Sequence, residues 1–206
     1  MNLPRTYDAI LDRYRAGTPR PFLRALIQRE SGFDPAAGAG KASSSAARGL
    51  MQITGVARDG FNNAQGATYQ AADLLTPEVS IKIGADLLRR IVRSYQDHRH
   101  GNMREDWSNP EFVKLVLAGW NSGYSNGGGV GRVVSYLLAR GLPVTHDQVF
   151  QNAAAAGATS HLQNLAKRDW QRGVAALYFQ QPAEGSSFMT VVLLGFVALG
   201  AYHLAR

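Results

Sequence analysis

Hydrophobic residues recur at helical spacing along most of the chain, and no segment shows a convincing alternation of period two. In the segment from Pro21 to Gly32, Phe22, Leu23, Leu26 and Ile27 form one apolar stripe, and Arg24, Gln28 and Arg29 take the polar side. Thr76-Pro77-Glu78 opens a second helix, with Ile83, Leu87, Leu88, Ile91, Val92 and Tyr95 on its stripe. Asn109 before Pro110 is an N-cap with proline at the first helical position. Phe112, Val113, Leu115, Val116, Leu117 and Trp120 follow as a broad apolar face. Thr145 with Gln148, and Ser160 with Gln163, have capping-box spacing. Gly141 and Gly157 stand where helix C-termini expect them. Residues 34–48 and 121–131, rich in Gly, Ser, Ala and Asn, read as loops. The pattern predicts an all-α fold: one globular helical domain over residues 21–179, preceded by an extension or helix over 1–20.

The C-terminal end differs. Residues 180–187 read as a linker, and 188–205 carry no formally charged side chain. As a helix, those roughly 18 residues at about 1.5 Å each span about 27 Å, enough for a hydrocarbon core. A membrane-spanning helix is the expectation there, and a terminal helix packed on the protein or on a partner is the alternative. Near the N-terminus, Asp8 and Asp12 interrupt any apolar run, so no signal-peptide core is expected.

Composition narrows the chemistry. The chain has 206 residues, 45% hydrophobic and 18% charged, which excludes a disordered polymer. It has no cysteine, which excludes disulfides, thiolate metal sites and a cysteine nucleophile. The histidines, at 98, 100, 146, 161 and 203, form no ligand pattern, so no metal or cofactor is expected. The net charge of +7 suits a polyanionic partner (nucleic acid, anionic lipid or bacterial wall) or simply a solvated basic surface. No compact Lys/Arg block points to specific nucleic-acid binding.

One carboxylate stands out of pattern. Positions 22, 26 and 30 are spaced i, i+4, i+8, and 23, 27 and 30 are spaced i, i+4, i+7, so Glu30 falls on the apolar stripe. A carboxyl group partly removed from water resists ionising and its pKa rises. That is what a general acid needs near neutral pH. The plain alternative is a helix-end glutamate exposed to water or paired with an arginine.

Glu30-Ser31-Gly32-Phe33-Asp34-Pro35, a small-residue loop and Gly49-Leu50-Met51-Gln52-Ile53 resemble the soluble lytic transglycosylase (SLT) domain, a relative of goose-type lysozyme. The order continues through Thr76–Ile81, Gly84 and Leu87-Leu88, then Leu117-Ala118-Gly119-Trp120-Asn121-Ser122-Gly123, and Trp170 through Val174 to Tyr178. The resemblance covers roughly residues 20–179 and implies a lysozyme-like, mainly helical fold. Trp120 and Trp170 stand where the family usually has tyrosine, and the loop with Gly127, Gly128 and Gly129 is longer than usual.

The resemblance implies cleavage of the β-1,4 bond between N-acetylmuramic acid and N-acetylglucosamine in peptidoglycan, with closure of a 1,6-anhydro ring. Glu30 would be the single catalytic carboxyl. Ser31, Met51, Gln52, Trp120, Asn121, Tyr124 and Trp170 are the expected substrate-binding residues. Asp34 and Asp59 are the nearest candidates for a second acid, which would make a muramidase-type hydrolase instead. A glycan-binding module that does not cut, and a structural component of a membrane conduit, are the other readings. The expected partners are glycan strands and, through the C-terminal segment, a membrane. With no export signal expected, a setting in a bacteriophage virion, among its internal-membrane or ejected proteins, would bring the domain to the host periplasm. A membrane-anchored bacterial secretion apparatus is the alternative setting.

Overall fold

The computed structural model of the protein describes residues 3–97 and 103–181. Most of the expected linker and the whole apolar segment 188–205 lie outside these residues, as do His98, His100 and His203. Among the described residues eight α-helices run in chain order: α1 (Asp8–Tyr14), α2 (Arg20–Glu30), α3 (Gly55–Gln65), α4 (Pro77–Tyr95), α5 (Pro110–Ser122), α6 (Val130–Leu138), α7 (His146–Asn152) and α8 (Leu165–Phe179). A short 3-10 turn, Ala72–Leu75, precedes α4. Among the described residues there is no strand, only one antiparallel bridge between Arg48 and Ile53. No helix among them is long and apolar enough to cross a membrane.

The expected stripes build the core. Phe22, Leu23, Leu26 and Ile27 of α2 are fully buried, as are Leu88, Ile91 and Tyr95 of α4 and Val113, Val116 and Leu117 of α5. Each such side chain removed from water contributes roughly 1.5–3 kcal/mol. Helix α4 packs against α1, α3 and α5, while α8 packs against both α2 and α5. The C-terminal ends of α2 and α5 therefore meet near the start of α8.

Helix α2 ends at Glu30 because the next residues leave helical space. Gly32 has φ +64° and Phe33 φ +69°, and two left-handed residues in succession turn the chain sharply. Phe33 then stacks on Tyr7 with ring centroids 6.4 Å apart.

The turn at 48–53 is locked from several sides. Arg48 and Ile53 exchange backbone hydrogen bonds of 3.1 and 2.9 Å. The Met51 N–H donates to buried Ser80 Oγ on α4 at 3.1 Å. Any side chain at Gly84 would collide with Met51, its Cβ lying 2.4 Å from the sulfur, so the glycine lets this turn sit on α4. The loop before it, though without regular structure, is pinned by the Arg48 guanidinium, which is buried and donates to the carbonyls of Lys41, Ser43 and Ala46.

Several sequence expectations change here. Arg24 is not on a polar face: it is buried and forms a bidentate pair with Asp8 of α1. Of the two forms expected before residue 21, an extension or a helix, the structure has a helix, α1, and Leu3 and Leu11 are buried in the same core. Ser160 opens no helix; residues 160–163 form turns and Asn164 caps α8, its side chain accepting from the Ala166 N–H at 3.0 Å. Thr145 caps α7 as expected, accepting from the Gln148 N–H at 3.2 Å. Helix α3 has only Val56 and Phe61 as large apolar residues, and a central glycine, so the pattern did not reveal it.

Candidate active site

Glu30, the last residue of α2, lines a hollow of about 270 Å³ together with Asn121, Asn164, Ala166, Lys167 and Trp170. Three helix ends create it: the C-termini of α2 and α5 and the first turns of α8. Trp120, beside Asn121, reaches across so that its indole N–H donates to Glu30 Oε1 at 2.7 Å.

Burial pushes the Glu30 pKa from its ordinary 4.5 up to about 7; the Trp120 hydrogen bond and the Lys167 charge pull the other way, and less strongly. Desolvation wins because a half-dry carboxylate loses more hydration than one neutral donor and one nearby ammonium return. The group can therefore hold or release a proton near neutrality. An indole nitrogen only donates. Oε1 thus accepts in both protonation states, and Oε2 is left to carry the proton.

Among the described residues no second carboxyl group lines this hollow. Asp34 is exposed and turns back to accept the Ala36 N–H at 2.8 Å, an ordinary turn contact. Asp59 is exposed and paired with Arg58.

Of the eight residues expected at the site, Glu30, Asn121 and Trp170 line the hollow and Trp120 bonds to Glu30. The other four have different local roles. Ser31 follows Glu30, and its hydroxyl donates to the Ile27 carbonyl at 3.3 Å, finishing the helix. Met51 is fully buried and packs on Gly84, so it is core and not groove wall. Gln52, at φ +45°, donates through Nε2 to the carbonyls of Ala37 and Gly49, tying the loop to the turn and leaving Oε1 for any ligand. Tyr124 is partly buried against the core beside Gly119.

The sequence reading did not place Lys167, Asn164 or Ala166 at the site. The available signal was helical spacing, since Lys167 precedes Trp170 by three residues and so shares its face. Trp170 also walls a second hollow of about 440 Å³, between α2 and α8, that holds Arg29 and Gly173. Among the described residues no group of His, Asp and Glu is arranged to hold a metal ion.

Residues 10–130 match the family model described as the transglycosylase SLT domain. The chain belongs to this family. The solved 70 kDa soluble lytic transglycosylase of Escherichia coli is similar in fold, with a TM-score of 0.53 and 24% sequence identity. The similarity covers 85% of this chain and 24% of that one, so the SLT-domain protein spans about a quarter of that enzyme's length. No curated protein matches the chain. In this SLT domain the matched region includes Glu30, Trp120 and Asn121, while Lys167 and Trp170 of α8 lie beyond it.

Proposed function

We propose that this domain is a peptidoglycan lytic transglycosylase that cleaves the β-1,4 bond between N-acetylmuramic acid and N-acetylglucosamine. The observation that carries the reading is Glu30: a carboxyl with its pKa at about 7, one oxygen engaged by Trp120, in a hollow that no second acid among the described residues lines. Glu30 protonates the glycosidic oxygen, and the bond from the muramic anomeric carbon to that oxygen breaks. The resulting carboxylate takes the proton of the muramic C6 hydroxyl, whose oxygen bonds to the anomeric carbon. The proton lost by Glu30 ends on the leaving sugar and is replaced by the C6 proton; no water is consumed. A pKa near 7 serves both halves of this cycle. The substrate acetamide stabilises the oxocarbenium-like state, and a paired-carboxylate scheme lacks its second member in this hollow.

Purified wall incubated with the protein and analysed by mass spectrometry tests the reading. Anhydro-muropeptides are the expected products. Reducing-end products mark a muramidase, and intact wall carrying bound protein marks a binding module.

For the setting, the apolar stretch 188–205 supports attachment to a membrane. The proposed role is local wall penetration from a bacteriophage particle as its genome enters the host. Immunoblotting of purified virions tests it: presence in the particle is expected, and absence removes the proposal.

A further inference from the structure

The hydrogen bonds behind Asn121 run in one direction. Gln171, on α8, is fully buried, and its Nε2 donates to Asn121 Oδ1 at 3.2 Å. Its Oε1 lies 2.7 Å from Nε2 of His146, the first residue of α7, which is also fully buried. An amide oxygen cannot donate, so His146 Nε2 carries the hydrogen of this contact. The His146 backbone N–H donates to Glu111 Oε2 at 2.9 Å, and its ring lies against Phe150 with centroids 5.0 Å apart. Nδ1 is buried without a hydrogen-bond partner, 3.7 Å from Asp147 Oδ1, and that carboxylate is taken by Arg172. Burial holds the His146 pKa below the usual histidine value, so the ring is neutral and has a single N–H, committed to Gln171.

Each link orients the next. An amide side chain can turn over at little steric cost, because its oxygen and nitrogen are nearly the same size. With its hydrogen on Nε2, His146 faces the Gln171 oxygen, and Gln171 then presents its nitrogen to Asn121. We infer that His146 and Gln171 are positioning residues that set the polarity of Asn121, so that its Nδ2 hydrogens face the hollow shared with Glu30 and select a ligand group that accepts, such as an acetamide carbonyl or a sugar hydroxyl oxygen. This rests on the glycan reading of the hollow. A relay running the other way would turn Asn121 Oδ1 into the hollow and favour donors.

The test uses the full chain and the variants Gln171→Glu and Gln171→Met. The Glu variant keeps the shape and still accepts from His146, but in its ionised form it cannot donate to Asn121, which must turn over. Because burial favours the protonated carboxyl, which can donate, the variant is compared with wild type at each pH from about 6 to about 9 and read on the alkaline side. The Met variant removes both links and leaves Asn121 able to adopt either orientation. The expected result on soluble glycan strands is a KM about tenfold higher for ionised Gln171→Glu, with kcat within about twofold of wild type at the same pH, and a smaller KM rise for Gln171→Met. Nitrogen-resolved NMR of the wild-type His146 ring should show the hydrogen on Nε2. An unchanged KM in Gln171→Glu, or the hydrogen on Nδ1, overturns the inference. The NMR result decides even if the Glu variant does not fold. A wild-type protein that neither binds nor cuts glycan overturns the glycan reading itself, whereas an active wild type with an unaffected Glu variant overturns only the relay.

Discussion

Trp120 and Glu30, 90 residues apart in sequence, are joined by an indole N–H donating 2.7 Å to Oε1. The contact does two things at once. It limits how far burial can raise the Glu30 pKa, and it reserves Oε2 for the proton, because a pure donor cannot accept one.

Trp120→Phe keeps an aromatic wall and removes the donor. The Glu30 pKa then rises further, so the protonated acid persists to higher pH. On soluble glycan strands, the alkaline limb of kcat/KM, expected near pH 7 in the wild type, moves upward by about one pH unit. A limb that stays in place contradicts the assignment.

Lys167→Met acts in the same direction through charge. The ammonium favours ionised Glu30, so its removal also moves the alkaline limb upward, by less than the Trp120 change. Because Lys167 is partly open to water, the wild-type limb should drift upward with added salt and that of the variant should not.

Glu30 also costs stability. Its folded-state value of about 7 lies above the ordinary 4.5. Between these pH values the folded protein holds a proton that the unfolded chain has released, so stability falls as pH rises from about 4.5 to about 7 and stays reduced above. Glu30→Gln removes this penalty while its amide oxygen can still accept from Trp120. Denaturant unfolding should show the variant more stable by roughly 1–3 kcal/mol at pH 8, with the gain vanishing near pH 4.

Arg24→Met tests the join between α1 and α2. Arg24 is buried, and its loss leaves Asp8, among the described residues, the longer 4.0 Å contact to Arg20. The expected cost is about 2 kcal/mol in denaturant unfolding, with kcat/KM of the folded protein unchanged.

Much of this was legible in the chain because it depends on local spacing. The stripe of α2, the position of Glu30 at its buried end and the caps at Asn109 and Thr145 all follow from neighbours three or four residues away. Contacts between distant helices were not legible. Arg24 reads as a surface residue until α1 places Asp8 against it, and Met51 reads as groove until Gly84 makes room for it in the core. Trp120 could be recognised as a donor that cannot accept, but its acceptor came only from α8, which holds the ends of α2 and α5 together. Lys167 and the pair His146–Gln171 reach the site through α7 and α8, where sequence distance hides the contact.

The central claim, that one half-dry carboxyl gives a proton and takes one back, is tested most directly by comparing wild-type protein with Glu30→Gln on purified peptidoglycan and quantifying 1,6-anhydro-muropeptides by mass spectrometry. The predicted result is a loss of at least about a thousandfold in product release, with glycan binding retained. Undiminished release of anhydro products by the variant would contradict the account.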